Sequence, residues 1–167
     1  GPWMRMSGTI LGTINKGVPA ESLADLTEKF KSGVKELSLD AIAVIGGDGS
    51  MRIVSEYCKG AGINMVGIPK TIDNDTPITE HSVGFATARD VCVEALDRLD
   101  ATAQSHHRVM ILEVMGRDAG HIAIHSAIAG GADVCLVPEI PYSLKGIIKT
   151  LRNIKKHGRQ HSLMVVA

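Results

Sequence analysis

Apolar positions recur along this chain with two alternating periods. Leu23, Leu26, Phe30, Val34 and Leu37 stand three or four apart, with Glu28, Lys29, Lys31 and Lys35 between them. That spacing predicts an amphipathic helix with one core-facing stripe and a solvated charged face. Ala41-Ile42-Ala43-Val44-Ile45 follows, apolar throughout and partly β-branched, which predicts a buried strand of the parallel-sheet kind. The two patterns keep alternating. A helix is expected over 50–59 with Gly60 and Gly62 near its end, then a strand over 63–68 that Pro69 ends by removing a ladder donor. A helix over 82–102 is expected to bury Val83, Ala86, Val91, Ala95 and Leu99. Strand over 108–114, helix over 118–129 ended by Gly130-Gly131, and strand over 133–137 come next. Ser143 caps a helix reaching 157, Gly158 stops it, and 162–166 forms the last strand. No linker, low-complexity tract or repeat interrupts this alternation, so the pattern predicts one α/β unit around a parallel sheet. Its site is expected at the carboxyl ends of the strands.

Two strand ends carry chemistry. The first runs straight into Gly46-Gly47-Asp48-Gly49-Ser50. The glycines allow a sharp turn and close approach of a polyanion, and the amides opening the next helix supply donors. Asp48 would repel a bare phosphate, so its presence points to a bridging Mg²⁺. An ordinary strand-to-helix turn uses the same residue types. The second end, Pro69-Lys70-Thr71-Ile72-Asp73-Asn74-Asp75, is more telling. Thr71, Asp73 and Asp75 alternate and project the same way if the segment stays extended. Carboxylates that close repel unless a cation, a shared proton or water screens them. In phosphoryl transfer the arrangement has a use: one Asp takes the proton of an attacking hydroxyl, another serves the metal, and Thr71 and Lys70 hold the moving group.

Composition narrows the picture. Over 167 residues the chain is 44% hydrophobic, and 18 Lys and Arg balance 18 Asp and Glu, which fits a soluble chain with one substantial core. A zero formal charge gives no support to nucleic-acid binding. No apolar run approaches the roughly 20 residues that span a bilayer, so no membrane role is expected. Cys58, Cys92 and Cys135 sit in apolar contexts without pairing or metal-ligand spacing, as expected for buried thiols of a reducing, cytoplasmic compartment. His121 and His125 are read as polar or capping positions, since no third ligand accompanies them. Arg152, Lys155, Lys156 and Arg159 are read as a solvated helix end whose cations complement the dipole. The opening Gly1-Pro2 is read as a tag remnant.

The Gly-Gly-Asp-Gly-Ser turn, the Pro-Lys-Thr-Ile-Asp-Asn-Asp loop and Glu113-Val114-Met115-Gly116-Arg117 resemble, in order and spacing, three central motifs of the 6-phosphofructokinase family. Gly8-Thr9-Ile10-Leu11-Gly12-Thr13 and Ile128-Ala129-Gly130-Gly131-Ala132-Asp133 extend the likeness over nearly the whole chain. Gly-Gly-Asp-Gly is shared with diacylglycerol, sphingosine and NAD kinases; the Thr-Ile-Asp-Asn-Asp loop is far more specific. The resemblance implies an α/β parallel-sheet sandwich of the phosphofructokinase type, and a cytoplasmic glycolytic activity: transfer of a phosphoryl group to the 1-hydroxyl of fructose 6-phosphate.

The resemblance also implies roles. Asp73 matches the base, Thr71 a hydroxyl on the transferring group, and Arg117 a transition-state contact. Asp48 matches the Mg²⁺-associated carboxylate, with Asp75 its helper. Gly46, Gly47, Gly49, Ser50 and Lys70 fall at donor-binding positions, and Met115 and Gly116 at sugar-phosphate positions. Arg108 stands where a subunit reaches its neighbour's substrate, which implies self-association. On the donor, Gly49 favours ATP, because Asp there obstructs the α-phosphate in pyrophosphate users, while Lys70 points to pyrophosphate; the balance favours ATP. Met6-Ser7-Gly8-Thr9 lacks the family's usual Arg before the glycines. Residues 1–167 are read as one unit, the incomplete central part of such an enzyme, weakly active alone and completed by further copies or another chain. A noncatalytic interaction subunit is the reading from a different class.

Overall fold

A computed structural model describes residues 23–167 of the chain. Gly1-Pro2, the Met6–Thr9 departure and the Gly8–Thr13 motif lie outside them. In order, the elements are α1 (Leu23–Glu36), β1 (Ala41–Gly46), α2 (Asp48–Ala61), β2 (Asn64–Thr71), β3 (Val83–Gly84), α3 (Phe85–His106), β4 (Val109–Glu113), α4 (His121–Ala129), β5 (Val134–Leu136), α5 (Leu144–Lys156) and β6 (Ser162–Val166). The described residues form two compact units, one of 23–42 with 53–65, the other of 43–52 with 66–167.

In the first unit, α1 turns Leu26, Phe30 and Val34 inward and leaves Glu28, Lys29, Lys31 and Lys35 exposed, as the stripe predicts. The Phe30 and Tyr57 rings meet at 5.7 Å. Leu37, read as part of the stripe, lies beyond the helix end and is 68% exposed. Gly62 closes α2 with φ of 69°, and the Ile63 amide bonds back to the Cys58 carbonyl at 3.0 Å, satisfying a helix-end acceptor.

The strands form two three-stranded sheets, ordered β1-β2-β3 and β4-β6-β5, the second lying wholly within the second unit. In the second sheet every pair is parallel, with Val109↔Ser162 through Glu113↔Val166 on one side of β6 and Val134↔Met164 through Leu136↔Val166 on the other. The expected α/β class with parallel sheets is therefore what the structure shows. β6 is the central strand, buried from Ser162 to Val165. Against it, α3 contributes Leu96 and Ala103 and α4 contributes Ala123 and Ala127, all close-packed with Leu163, Val165 and Val137. Fully burying a side chain such as Leu96 is worth about 1.5–3 kcal/mol. The Ser143 cap forms as expected, its hydroxyl accepting from the Gly146 amide at 3.1 Å.

Several expectations are corrected. β2 runs through Pro69 to Thr71, because its ladder with β3 starts at Lys70↔Val83, after the proline, and does not call on the missing N–H there. The helix expected from 82 starts at Phe85, since Val83 and Gly84 are strand. Phe85, Leu96 and Ala103 are buried; of the residues expected to be, Ala95 and Leu99 are half-buried, Leu99 against the core, while Val83 and Val91 are 57% and 60% exposed and Ala86 is exposed too. α4 starts at His121 rather than 118, residues 117–118 forming a turn. Cys58 is buried as read, but Cys92 is only half-buried, and Cys135 is exposed because it points away from the helix-covered face of β5.

Gly130 ends α4 for a steric reason rather than a conformational one. A Cβ there would lie 2.5 Å from Leu96 Cδ1 and 3.1 Å from Leu96 Cβ, at the tightest point between α3 and α4. Gly130→Ala is expected to cost about 1–3 kcal/mol by overpacking, read as a lower urea midpoint by circular dichroism.

Candidate functional site

The expected site residues all fall within the second unit. The first turn lies beside the second loop. Gly46 is buried, Gly47 half-buried, and a Cβ on Gly47 would stand 3.8 Å from the Lys70 carbonyl oxygen and 3.9 Å from Thr71 Cβ. The two strand ends are thus neighbours. α2 opens at Asp48, two residues earlier than the sequence suggests, and the Met51 amide already bonds to Gly47 O at 3.0 Å. Asp48, Gly49 and Ser50 are exposed in its first turn, where orphan amides and the dipole favour an anion.

The second loop is not the extended run that alternation assumes. Asn74 has φ of 55°, so the backbone bends between Asp73 and Asp75. The Asp73 amide donates to Thr71 Oγ1 at 3.2 Å. Asp73 is half-buried, and its Oδ1 is buried without a hydrogen-bond partner. Burial, and then the negative charge of Asp75, hold the Asp73 carboxyl above the usual aspartate range, while the Arg117 guanidinium pulls it partly back. Lys70 and Asp75 are exposed at the edge of the same loop.

The third strand end, after β4, brings Arg117 into that field. The Val114 amide bonds to Val166 O at 2.8 Å, and the chain then turns through Met115, Gly116 and Arg117. A Cβ on Gly116 would collide with the Ala119 carbonyl oxygen, so only glycine fits. Arg117 itself has φ of 54°, a conformation that costs a side-chain-bearing residue about 1–2 kcal/mol, and such strain concentrates at functional sites.

Arg108 is not brought to this place. It precedes β4, at the amino end of a five-residue strand whose carboxyl end leads to Arg117. At about 3.3 Å per residue, the four steps of the strand alone separate its two ends by about 13 Å. A cavity of about 230 Å³, lined by His107, Leu151, Arg152, Lys155 and Arg159 among others, lies at that amino end too. Arg159 of the expected solvated cluster pairs with Asp133 instead of standing free.

Glu139 was not legible as a site neighbour. Its Oε1 accepts from the Gly120 amide at 2.7 Å, fastening the far end of the Arg117 loop where α4 begins. That backbone bond, with help from His121, holds the Glu139 carboxyl below the usual range. His121 and His125 turn out to pack edge-on against Phe85, at 6.5 and 5.2 Å, with His81 stacked on it at 6.3 Å. The one hint in the sequence was an acid shortly after a strand, too common to single out.

Among the described residues no cluster of three or more His, Cys, Asp or Glu forms a metal cage. Mg²⁺ does not need one, since it binds through one or two carboxylates, several waters and substrate phosphates. The exposed oxygens of Asp48 and Asp75 fit that donor set.

The two displaced carboxyls have opposite consequences for stability. The Asp73 titration is raised on folding, so its charged form destabilises the fold, a cost that accrues as pH rises from the ordinary aspartate value through the raised one. The Glu139 titration is lowered, so its contribution is present above the ordinary glutamate value and lost as pH falls through the lowered one. In metal-free buffer, thermal melts are expected to show Asp73→Asn more stable and Glu139→Gln less stable than the parent at neutral pH, with both differences closing in acid.

A family model described as Phosphofructokinase matches residues 1–167. "ATP-dependent 6-phosphofructokinase 1" of Synechocystis sp. is 50% identical over 170 residues, covering 98% of this chain and 47% of that protein. "ATP-dependent 6-phosphofructokinase 1" of Nostoc sp. is 51% identical over 172 residues, covering 99% and 48%. The chain thus spans about half the length of these relatives. Among solved structures, phosphofructokinase from Saccharomyces cerevisiae matches with a TM-score of 0.79 at 27% identity, over 96% of this chain and 25% of the other. A pyrophosphate-dependent phosphofructokinase from Marinobacter aquaeolei matches at 0.73 and 26% identity, over 95% and 42%.

Proposed function

This chain belongs to the phosphofructokinase family, and on that premise we propose that it carries the phosphoryl-transfer centre of an ATP-dependent 6-phosphofructokinase acting on fructose 6-phosphate in the cytoplasm. The observation that carries the reading is Asp73: half-buried, one carboxylate oxygen without a partner, and Asp75 and Arg117 near enough to displace its titration. A raised carboxyl is a better base than an ordinary one, and an unpaired oxygen has room for the proton.

In the proposed reaction the sugar 1-hydroxyl gives its proton to Asp73. Its oxygen bonds the γ-phosphorus of ATP as the bond to the bridging oxygen breaks, and ADP leaves. Thr71 Oγ1 already accepts from the Asp73 amide, which leaves its own hydroxyl proton to donate to the transferring group. Arg117 offsets the charge developing there. Gly46 and Gly47 admit the phosphates to the opening of α2, and Ser50 and Lys70 flank them. Met115 and Gly116 line the sugar-phosphate side. Asp48 and Asp75 would hold Mg²⁺, which when bound neutralises phosphate charge. The work is positioning and electrostatics, without a covalent intermediate.

ATP is favoured as donor. A Cβ on Gly49 would meet nothing within 4 Å, so the space a nucleotide needs beside the turn is open, and the relatives at about 50% identity are named ATP-dependent. The exposed Lys70 ammonium is the feature that supports pyrophosphate as the second reading.

Residues 1–167 are proposed to be the central part of the enzyme, weakly active alone. Ile45 and Val66, both in the second unit, are 65% and 63% exposed, as expected of a surface that further copies or a complementing chain would cover. Arg108, away from its own Asp73, is proposed to serve a neighbour's substrate. Failing catalysis, the same surface would suit a noncatalytic interaction subunit.

The test is a coupled assay of fructose 1,6-bisphosphate formation with MgATP and with pyrophosphate. Turnover is expected with MgATP, reduced about 10²–10⁴-fold by Asp73→Asn. Gly49→Asp, which the open space around Gly49 tolerates, is expected to lower the ATP rate far more than any pyrophosphate rate. Turnover surviving Asp73→Asn would remove the assigned base.

A further inference from the structure

The chain leaves β2 at Thr71 and is back beside it at Val83, pairing in parallel through Lys70↔Val83 and Thr71↔Gly84. A parallel return ordinarily takes a dozen or more residues and a helix to hold it. Here residues 72–82 do it without a helix. Among them the backbone supplies little internal support, a 3.3 Å bond from the Thr79 amide to Thr76 O.

Side chains supply the rest. Asn74 Oδ1 accepts from the Ser82 amide at 2.8 Å, and Asn74 Nδ2 donates to Glu80 O at 3.0 Å. The Ser82 hydroxyl, 5% exposed as a residue, stands 2.7 Å from Thr71 O and 3.1 Å from Asn74 Oδ1. Its single proton serves one acceptor at a time, and the shorter contact is to Thr71. Two residues thus tie both flanks of the loop together, and the tie lands on Thr71 itself. Thr71 is held twice, through its carbonyl by Ser82 and through its hydroxyl by the Asp73 amide.

We propose that Asn74 and Ser82 are positioning residues, a side-chain latch that fixes Thr71, Asp73 and Asp75 relative to one another. The load on it has a cause: like charges on Asp73 and Asp75 favour a loop that splays, and no helix or long ladder resists. Asn74 occupies the positive-φ position between the two acids, so the residue that bends the loop also closes it. The bland account makes Asn74 a turn former and nothing more. Glycine separates the two, because it adopts positive φ at no steric cost and has no side chain to latch.

The catalytic part of this inference rests on the function proposed above; the latch itself does not. Residue-resolved amide hydrogen exchange on the full chain, without substrate, reads the latch. Asn74→Gly and Ser82→Ala are expected to speed exchange at the Asp73 amide about tenfold or more while the melting temperature of the core stays put. Ser82→Thr, which keeps the hydroxyl, is expected to retain protection, and Thr79→Ala, in the same loop but outside the latch, to change nothing. Should buried Ser82→Ala unfold the chain, Asn74→Gly carries the test alone. Unchanged Asp73 exchange in Asn74→Gly would overturn the latch. With turnover measured against the Asp73→Asn blank, kcat in Asn74→Gly is expected to fall about 10–100-fold at unchanged KM. Faster exchange with kcat intact would overturn the positioning role, whereas a parent indistinguishable from the blank counts against the proposed function and leaves the exchange result to decide the latch.

Discussion

Everything in the larger unit depends on how β6 is buried. Flanked in parallel by β4 and β5 and covered by α3 and α4, it can exchange neither its neighbours nor its register without exposing Leu163 and Val165. Parallel pairing has a directional result: the carboxyl ends of β4 and β6 come out on one side, and the loop bearing Arg117 leaves from there. The Val114 amide bonded to Val166 O continues the ladder one step into that loop. Apolar burial, which has no chemistry of its own, therefore decides where the guanidinium stands.

On that frame the site holds charges in places they would not choose. Asp73 is partly removed from water beside Asp75, and Arg117 only partly compensates. Arg117 sits at positive φ, and Gly116 leaves no room for a side chain. The placements of Asp73 and Arg117 cost stability, and their loops are held by neighbours: the Asn74–Ser82 bonds for the first, the Glu139 bond to Gly120 for the second. A carboxylate kept from its ordinary titration would serve as a base only if its surroundings did not relax, so the proposed role of Asp73 depends on rigidity around residues 71–82.

The glycines divide into kinds that composition cannot separate. Gly62 is there for its backbone angle and Gly130 for the approach of α3 to α4, while a Cβ on Gly47 would meet Lys70 and Thr71 only at ordinary contact distance. The glycine turn and the threonine-aspartate loop were both read as chemistry from the residues, and the structure sets them side by side.

Most element types and their order were determined by the sequence, because burying one helix face or one or both strand faces leaves a hydrophobic period in the letters; the two-residue β3 left none. The Ser143 cap was legible too, and the glycine and aspartate motifs are legible as residue types that phosphate and proton chemistry would use. What the tertiary structure decided was anything requiring two distant segments at once. The buried face of α3 followed from where α4 and β6 pack against Leu96 and Ala103. The continuation of β2 past Pro69 followed from a partner that starts one residue later. The separation of Arg108 from Arg117, the Glu139 tie to Gly120 and the Asn74–Ser82 bonds followed from where strands begin and end in space. Local pattern records which face of an element must avoid water; it carries no record of which residue waits on the other side.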